Sequence, residues 1–305
     1  MLSWHKFERI LYFSGLLPVI IFPLTMSIPA VGFIIEMGTI FLMIYYAYRR
    51  YYLPLILGGL GSLVLALALY GPGLLVISMW AKAIIPGAVF GRFLGGGVSV
   101  PRAFLVGIML MTIVSLMIFQ GEREAIYQVL DGVQKWMQDG LAGGSIAGQE
   151  QIDWMLKTVA TIKRLTPSLM ALSAVGQLFI GWILLILLLK SASEFVPSYA
   201  NFHYWKMPDF YLFIAGLAIF IRLIGGETIK IVADNILFFI GFFYAAFGFA
   251  VFEYFLKKLK LSLFLRILFY IGFIFLQLPG LILAAAVGLF DSYFDFRKVK
   301  AKIIG

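Results

Sequence analysis

Charged residues are nearly absent from several stretches of this chain that are each long enough to cross a bilayer as a helix. Leu169 to Leu189 contains none at all, and ~20 apolar residues rising 1.5 Å each match a hydrocarbon core. Backbone N–H and C=O groups find no water there, so such runs must be helices or strands of a closed barrel. A barrel would read as ~10-residue segments of alternating polarity. The runs here are continuous, which leaves helices. Composition agrees: 62% of the 305 residues are hydrophobic and 13% charged, with mean hydropathy +1.00, whereas a soluble domain is roughly a quarter charged. The fold class is an all-α, polytopic integral membrane helical bundle of about eight or nine transmembrane helices in contact with the lipid bilayer.

The first apolar block, Ile10 to Ala47, is too long for one span and carries Pro29 near its middle. It reads as two helices of ~18 residues, the first retained because no small-residue cleavage site follows it. Further spans are read over Leu53–Tyr70, Leu74–Phe90 (interrupted by Lys82 and Pro86) and Ala103–Phe119. Residues 1–120 thus form an N-terminal transmembrane region of five spans. Residues 121–166 differ in kind. Ile126, Val129, Leu130, Val133 and Met137, then Ile152, Met155, Leu156, Val159 and Ile162, recur at helical spacing among charges, separated by a glycine-rich connector at 140–148. That pattern predicts an amphipathic helical hairpin at the membrane surface. Thr166-Pro167 reads as a helix start, N-cap followed by first-turn proline. Residues 167–305 form a C-terminal region with spans over Pro167–Leu189, Phe210–Ile224, Ile229–Phe252 and Leu261–Phe290, then a basic tail.

The net charge of +9 comes from short basic clusters beside apolar runs. This is the placement of cytoplasmic loops and lipid headgroup contacts, not of a nucleic-acid surface. With the N-terminus inside, Arg49/Arg50, Arg92/Arg102, Lys190/Lys206 and Lys257/Lys258/Lys260 all fall on the cytoplasmic side. Nine crossings would then place the basic tail from Arg297 outside, against the same rule. One segment must be re-entrant or merged, and the proline- and glycine-broken stretch 71–97 is the candidate.

Catalytic and metal motifs are missing. There is no cysteine, only two histidines (His5 and His203), and no Walker A loop, HExxH or GxSxG. The chain is expected to hold no metal and no cofactor, and to be no enzyme. Active transport would require an ion gradient or a separate ATPase.

An ionisable group in hydrocarbon costs ~3 kcal/mol on insertion scales, so such residues are functional candidates by default. Glu36 is foremost: it serves a cation, a proton or a hydrogen-bonding substrate, unless it lies in a turn between the first two spans. Asp234 and Asn235 line a polar cavity or pair with Arg222 and Lys230 at the outer end of their span. Gln177 and Gln277 sit deep in spans, where amides bond neighbouring helices or line a path. Lys82 either snorkels or faces a cavity. Glu253 and Lys257 have the spacing of a surface pair. The candidate substrate-binding set is Glu36, Arg92, Gln177 and Asn235. Two strips of small residues, Gly87/Gly91/Gly95 and Gly280/Ala284/Gly288, permit close helix packing.

The Trp205-Lys206-Met207-Pro208 loop, Asn235, the stretch around Gly248, and the closing run from Gly288 to Lys298 together resemble the YybS-like predicted bacterial membrane proteins. That resemblance implies a distant relation to the substrate-binding (S) components of energy-coupling-factor transporters, which dock on a shared transmembrane and ATPase module. Two functions follow. One is a transport-associated component of the bacterial cytoplasmic membrane that binds a small solute and partners such a module. The alternative is a non-transporting scaffold or assembly factor acting through the surface hairpin and basic loops.

Overall fold

The computed structural model describes residues 12, 17–20, 22, 29–142, 149–196 and 202–298. Most of the first span predicted from Ile10, most of the 140–148 connector and the tail beyond Lys298 lie outside these residues. The described residues form helices without a strand. In chain order they are α1 (Pro29–Arg49), α2 (Tyr52–Tyr70), α3 (Leu74–Gly95), α4 (Val100–Ala142), α5 (Gln149–Ser191), a short 3-10 turn at Phe202–Tyr204, α6 (Phe210–Ile224), α7 (Glu227–Lys258) and α8 (Leu263–Phe294). Six of them are long and apolar enough to cross a membrane, and α6 and the first part of α8 are shorter apolar helices. The protein is a multi-pass helical membrane protein.

The polarity of α2 shows what surrounds it. Its large apolar residues Ile56, Leu60 and Val64 point outward, whereas Gly58, Gly59, Ser62 and Ala66 are buried. Small and weakly polar groups inside with bulky apolar groups outside is the arrangement of a lipid-facing helix. Trp80 of α3 fixes α2 in place, its Nε1 donating to the Gly59 carbonyl at 2.8 Å and to Ser62 Oγ at 3.2 Å.

The chain divides into two compact units, Met1–Tyr199 and Ala200–Gly305. In the first, α1 and α3 run parallel in close contact. A Cβ at Gly87 would lie 2.9 Å from the Ile40 carbonyl, and Cβ atoms at Gly91 and Gly95 would overlap the carbonyls of Ile44 and Tyr48. Only glycine lets the two backbones approach this far. Helix α5 lies against α1 in the same direction, with Arg49 pairing Glu194 at their ends. Helix α4 runs opposite to α5, and Phe104 packs against both Phe90 of α3 and Trp182 of α5.

The hairpin read over 121–166 is not a separate element. Its two arms are the uninterrupted continuations of α4 and α5, each helix having 43 residues. Lys163 ties the arms together, 2.8 Å from Asp131 and over the ring of Tyr127. Thr166-Pro167 does not start a helix: Pro167 lies inside α5, and the Thr166 hydroxyl donates to the Ile162 carbonyl one turn back. The boundaries drawn at 120 and 166 therefore fall within α4 and α5.

Nor is α3 interrupted at the proline of the stretch 71–97. Pro86 is buried within a continuous α3, and the break occurs elsewhere, in the second unit. Gln277 of α8 has φ 48° and ψ −127°, two residues before Pro279. A Cβ at Gly280 would lie 3.1 Å from the carbonyl of Phe273, seven residues earlier; in a straight helix those levels are ~10 Å apart. The helix folds back sharply. Its first half descends along α7, with Arg266 and Tyr270 both bonded to Glu253. Its second half crosses α7 where Gly248 meets Ala284 and Gly288 meets Tyr244, then ends beside His203–Lys206. His203 in turn touches Lys257. Both ends of α8 thus sit at the same end of α7.

Candidate functional site

Glu36 occupies the interior of α1, not a turn between spans. The parallel packing of α1 and α3 brings Lys82 level with it, and one Glu36 oxygen lies 2.8 Å from Lys82 Nζ. The other oxygen accepts a hydrogen bond of 2.7 Å from Gln177 Nε2 on α5. The two charged side chains are 15% and 16% exposed and Gln177 is 1% exposed. A carboxylate and an ammonium removed from water need each other and further hydrogen bonds to be tolerated; Gln177 supplies one. Its own Oε1 is buried with no hydrogen-bond partner.

Beside this triad lies a half-open cavity of ≈ 500 Å³ lined by α1, α3, α4 and α5. Glu36 and Lys82 form one end, with Ser115 of α4 and Ser173 of α5 at a neighbouring level. The Ser115 hydroxyl is buried without a hydrogen-bond partner. Toward the arms the lining becomes apolar: Met79 and Ile118, then Leu169 and Met170, and finally Ile126, Leu130 and Ile162. The volume falls within the ≈ 300–1,000 Å³ of small-molecule sites, and a few convergent polar groups in an apolar surround are their usual chemistry.

Of the four predicted binding residues, the structure brings Glu36 and Gln177 together. Arg92 is exposed in the last turn of α3, ten residues beyond Lys82 and so ~15 Å along the helix, away from the cavity. Asn235 belongs to the second unit, where its amide donates to the Ile231 carbonyl of its own helix. Its neighbour Asp234 pairs with Arg222, 2.5 Å away. Gln277 sits at the break in α8 and is exposed there. Gly280 packs against its own helix at that break, while Ala284 and Gly288 meet α7. Ser115 and Lys82 complete the cavity and were absent from the predicted set. Serine is commonplace in membrane helices, and a lone lysine within a predicted span reads equally well as snorkelling.

The second unit holds two further polar clusters that act as structural ties. Glu253 is more than one half of a surface pair: besides Lys257 it binds Arg266 at 3.1 Å and Tyr270 at 2.9 Å. Arg297, which reads in sequence as the start of a basic tail, has a fully buried side chain. It donates to Asp291 and to the carbonyls of His203 and Trp205 at 2.7–2.8 Å. The Trp205–Pro208 loop and the closing run from Gly288 are thereby one packed assembly, in which Met207 inserts beside Ile240 and Tyr244.

Among known proteins, residues 16–292 match the family described as Predicted membrane protein (DUF2232). No curated protein and no solved structure matches significantly.

Proposed function

The chain belongs to this family of predicted membrane proteins, and from that premise we propose that it is a solute-binding, transport-associated component of the bacterial cytoplasmic membrane. One observation carries the reading. The Glu36–Lys82 pair, braced by Gln177 and expensive to bury, lies at the head of a pocket of ligand size, where a buried serine hydroxyl is left unsatisfied. Groups that serve packing alone are normally satisfied within the protein. The role assigned is binding without catalysis. The resemblance to S components suggests a partner module that hydrolyses ATP, since the sequence has no Walker A loop of its own.

The test is purification of the full chain from its native host, followed by mass spectrometry of co-purifying small molecules and subunits. The expected result is a solute that is lost in a Ser115→Phe variant, which fills the head of the cavity. Absence of any solute and any ATPase subunit would overturn the reading.

A second reading, a scaffold working through the arms, rests on Trp136 and Trp154. They are 73% and 66% exposed on α4 and α5 beyond the cavity, and Val129 is 68% exposed nearby. Exposed aromatics are common anchors at protein interfaces. A photo-crosslinker at position 136 that captures one defined membrane protein, in cells where the Ser115→Phe variant retains function, would favour this reading.

A further inference from the structure

The lining of the cavity is sorted by polarity along its length, which limits what can fill it. On α4, Ser115, Ile118, Ile126 and Leu130 share one face and span ~22 Å of helix. On the antiparallel α5, Ser173 stands near the Ser115 end and Ile162 near the Ile126 end, ~16 Å apart. Gln177, one turn beyond Ser173, marks the level of Glu36. The polar groups are therefore gathered at one end. Thr166, midway along, turns its hydroxyl to its own backbone at Ile162 and adds little polarity there.

The polar end has no net charge to offer. Lys82 and Glu36 compensate each other at 2.8 Å, so an anion or a cation would have to displace an existing partner in a medium of low dielectric. A head group that is uncharged, or that carries both signs, can instead hydrogen-bond Ser115 and straddle the pair. Building on the solute-binding reading above, we propose that the cavity takes an amphiphile of zero net charge. Its polar head lies at Glu36, Lys82 and Ser115, and its apolar body runs along Ile118, Leu130 and Ile162.

The full-length protein, transferred from detergent into an amphiphilic polymer too large to enter the cavity and examined by native mass spectrometry, tests this with three probes. They are lauroyl lysophosphatidylcholine (zwitterionic), lauroyl lysophosphatidylglycerol (anionic) and glycerophosphocholine (the head without a chain). The zwitterionic amphiphile should be retained about tenfold over each of the others, a difference of ~1.4 kcal/mol. Glu36→Gln should reverse the charge preference by leaving Lys82 unopposed. Ile126→Trp, in the apolar part, should lower retention of both lysolipids with an unchanged melting temperature. A lipid-mass adduct present before any probe is added identifies the bilayer as the source; probe binding without one identifies a soluble amphiphile. Equal retention of the zwitterionic and anionic probes, or an indifferent Ile126→Trp, overturns the proposal. Glycerophosphocholine bound as well as the chain-bearing probe also overturns it but leaves the solute site standing. If no probe binds wild type or Glu36→Gln, the solute-binding reading falls with it.

Discussion

At the scale of single residues, the energetics of Glu36 and Lys82 are dominated by what happens when one is removed. Their mutual attraction roughly offsets the desolvation of both, but a lone survivor remains in apolar surroundings without a counter-charge, at about 3–5 kcal/mol. Glu36→Ala and Lys82→Met should therefore each lower the thermal midpoint in detergent markedly. The double variant should be less destabilised than the sum of the two, because it leaves no orphan charge. A strictly additive double variant would show that the pair is not coupled. Glu36 and Gln177 were legible in sequence because a carboxylate and an amide stand out in apolar runs. Their union with Lys82 was not, because residues 46 and 141 positions apart meet only through helix packing. Ser115 gives no signal in one dimension at all. Its interest lies in a hydrogen bond it does not make.

At the scale of elements, glycine decides how closely the helices pack. A side chain at Gly91 would overlap the Ile44 backbone, and one at Gly248 would overlap the Ala284 carbonyl. Backbone cannot yield as the tip of a flexible side chain can, so overpacking here should reach or exceed the usual 1–3 kcal/mol. Gly91→Leu and Gly248→Val should each cause a large loss of folded protein in detergent melts. Gly38 is also helical, but a Cβ there would meet nothing within 4 Å, and Gly38→Ala should be neutral or stabilise by about 0.5–1 kcal/mol. Equal effects at the three positions would refute close packing as the cause. The small-residue strips were readable from their spacing, but not which helix each would meet, and Gly280 serves the break in α8 instead. The helical arms over 121–142 and 149–166 were readable too. Their continuity with the spans was not, because a Thr-Pro pair looks alike at a helix start and inside one.

At the scale of the whole molecule, the folded-back α8 bears on the conflict between span count and charge. In the first unit, the ends of α1, α3 and α5 carry Arg49, Arg50, Arg92 and Lys190, while the arms leave the opposite end with five basic and six acidic residues. By the positive-inside rule the former end is the one expected to face the cytoplasm. In the second unit, Lys206, Lys257, Lys258 and the start of α8 share one end, and Arg297 is bonded to the loop at that same end. If α8 enters and returns, Arg297 and Lys298 stay with the other basic residues of this unit and their charges are not misplaced. Arg297 itself drops out of the count, because Asp291 neutralises it internally. The chain has no cysteine, so each introduced one is a unique reporter. Ser193→Cys and Lys298→Cys should react with a membrane-impermeant maleimide only after the cells are permeabilised. Gly132→Cys and Gly226→Cys, at exposed positions of the opposite ends, should react in intact cells. Should Lys298→Cys label with the second pair, α8 crosses the membrane and the fold-back lies within it. Arg297→Ala tests the pin directly. It strands Asp291 and two carbonyls, and should destabilise the second unit by about 3–5 kcal/mol while exposing position 298 to proteolysis from the cytoplasmic side.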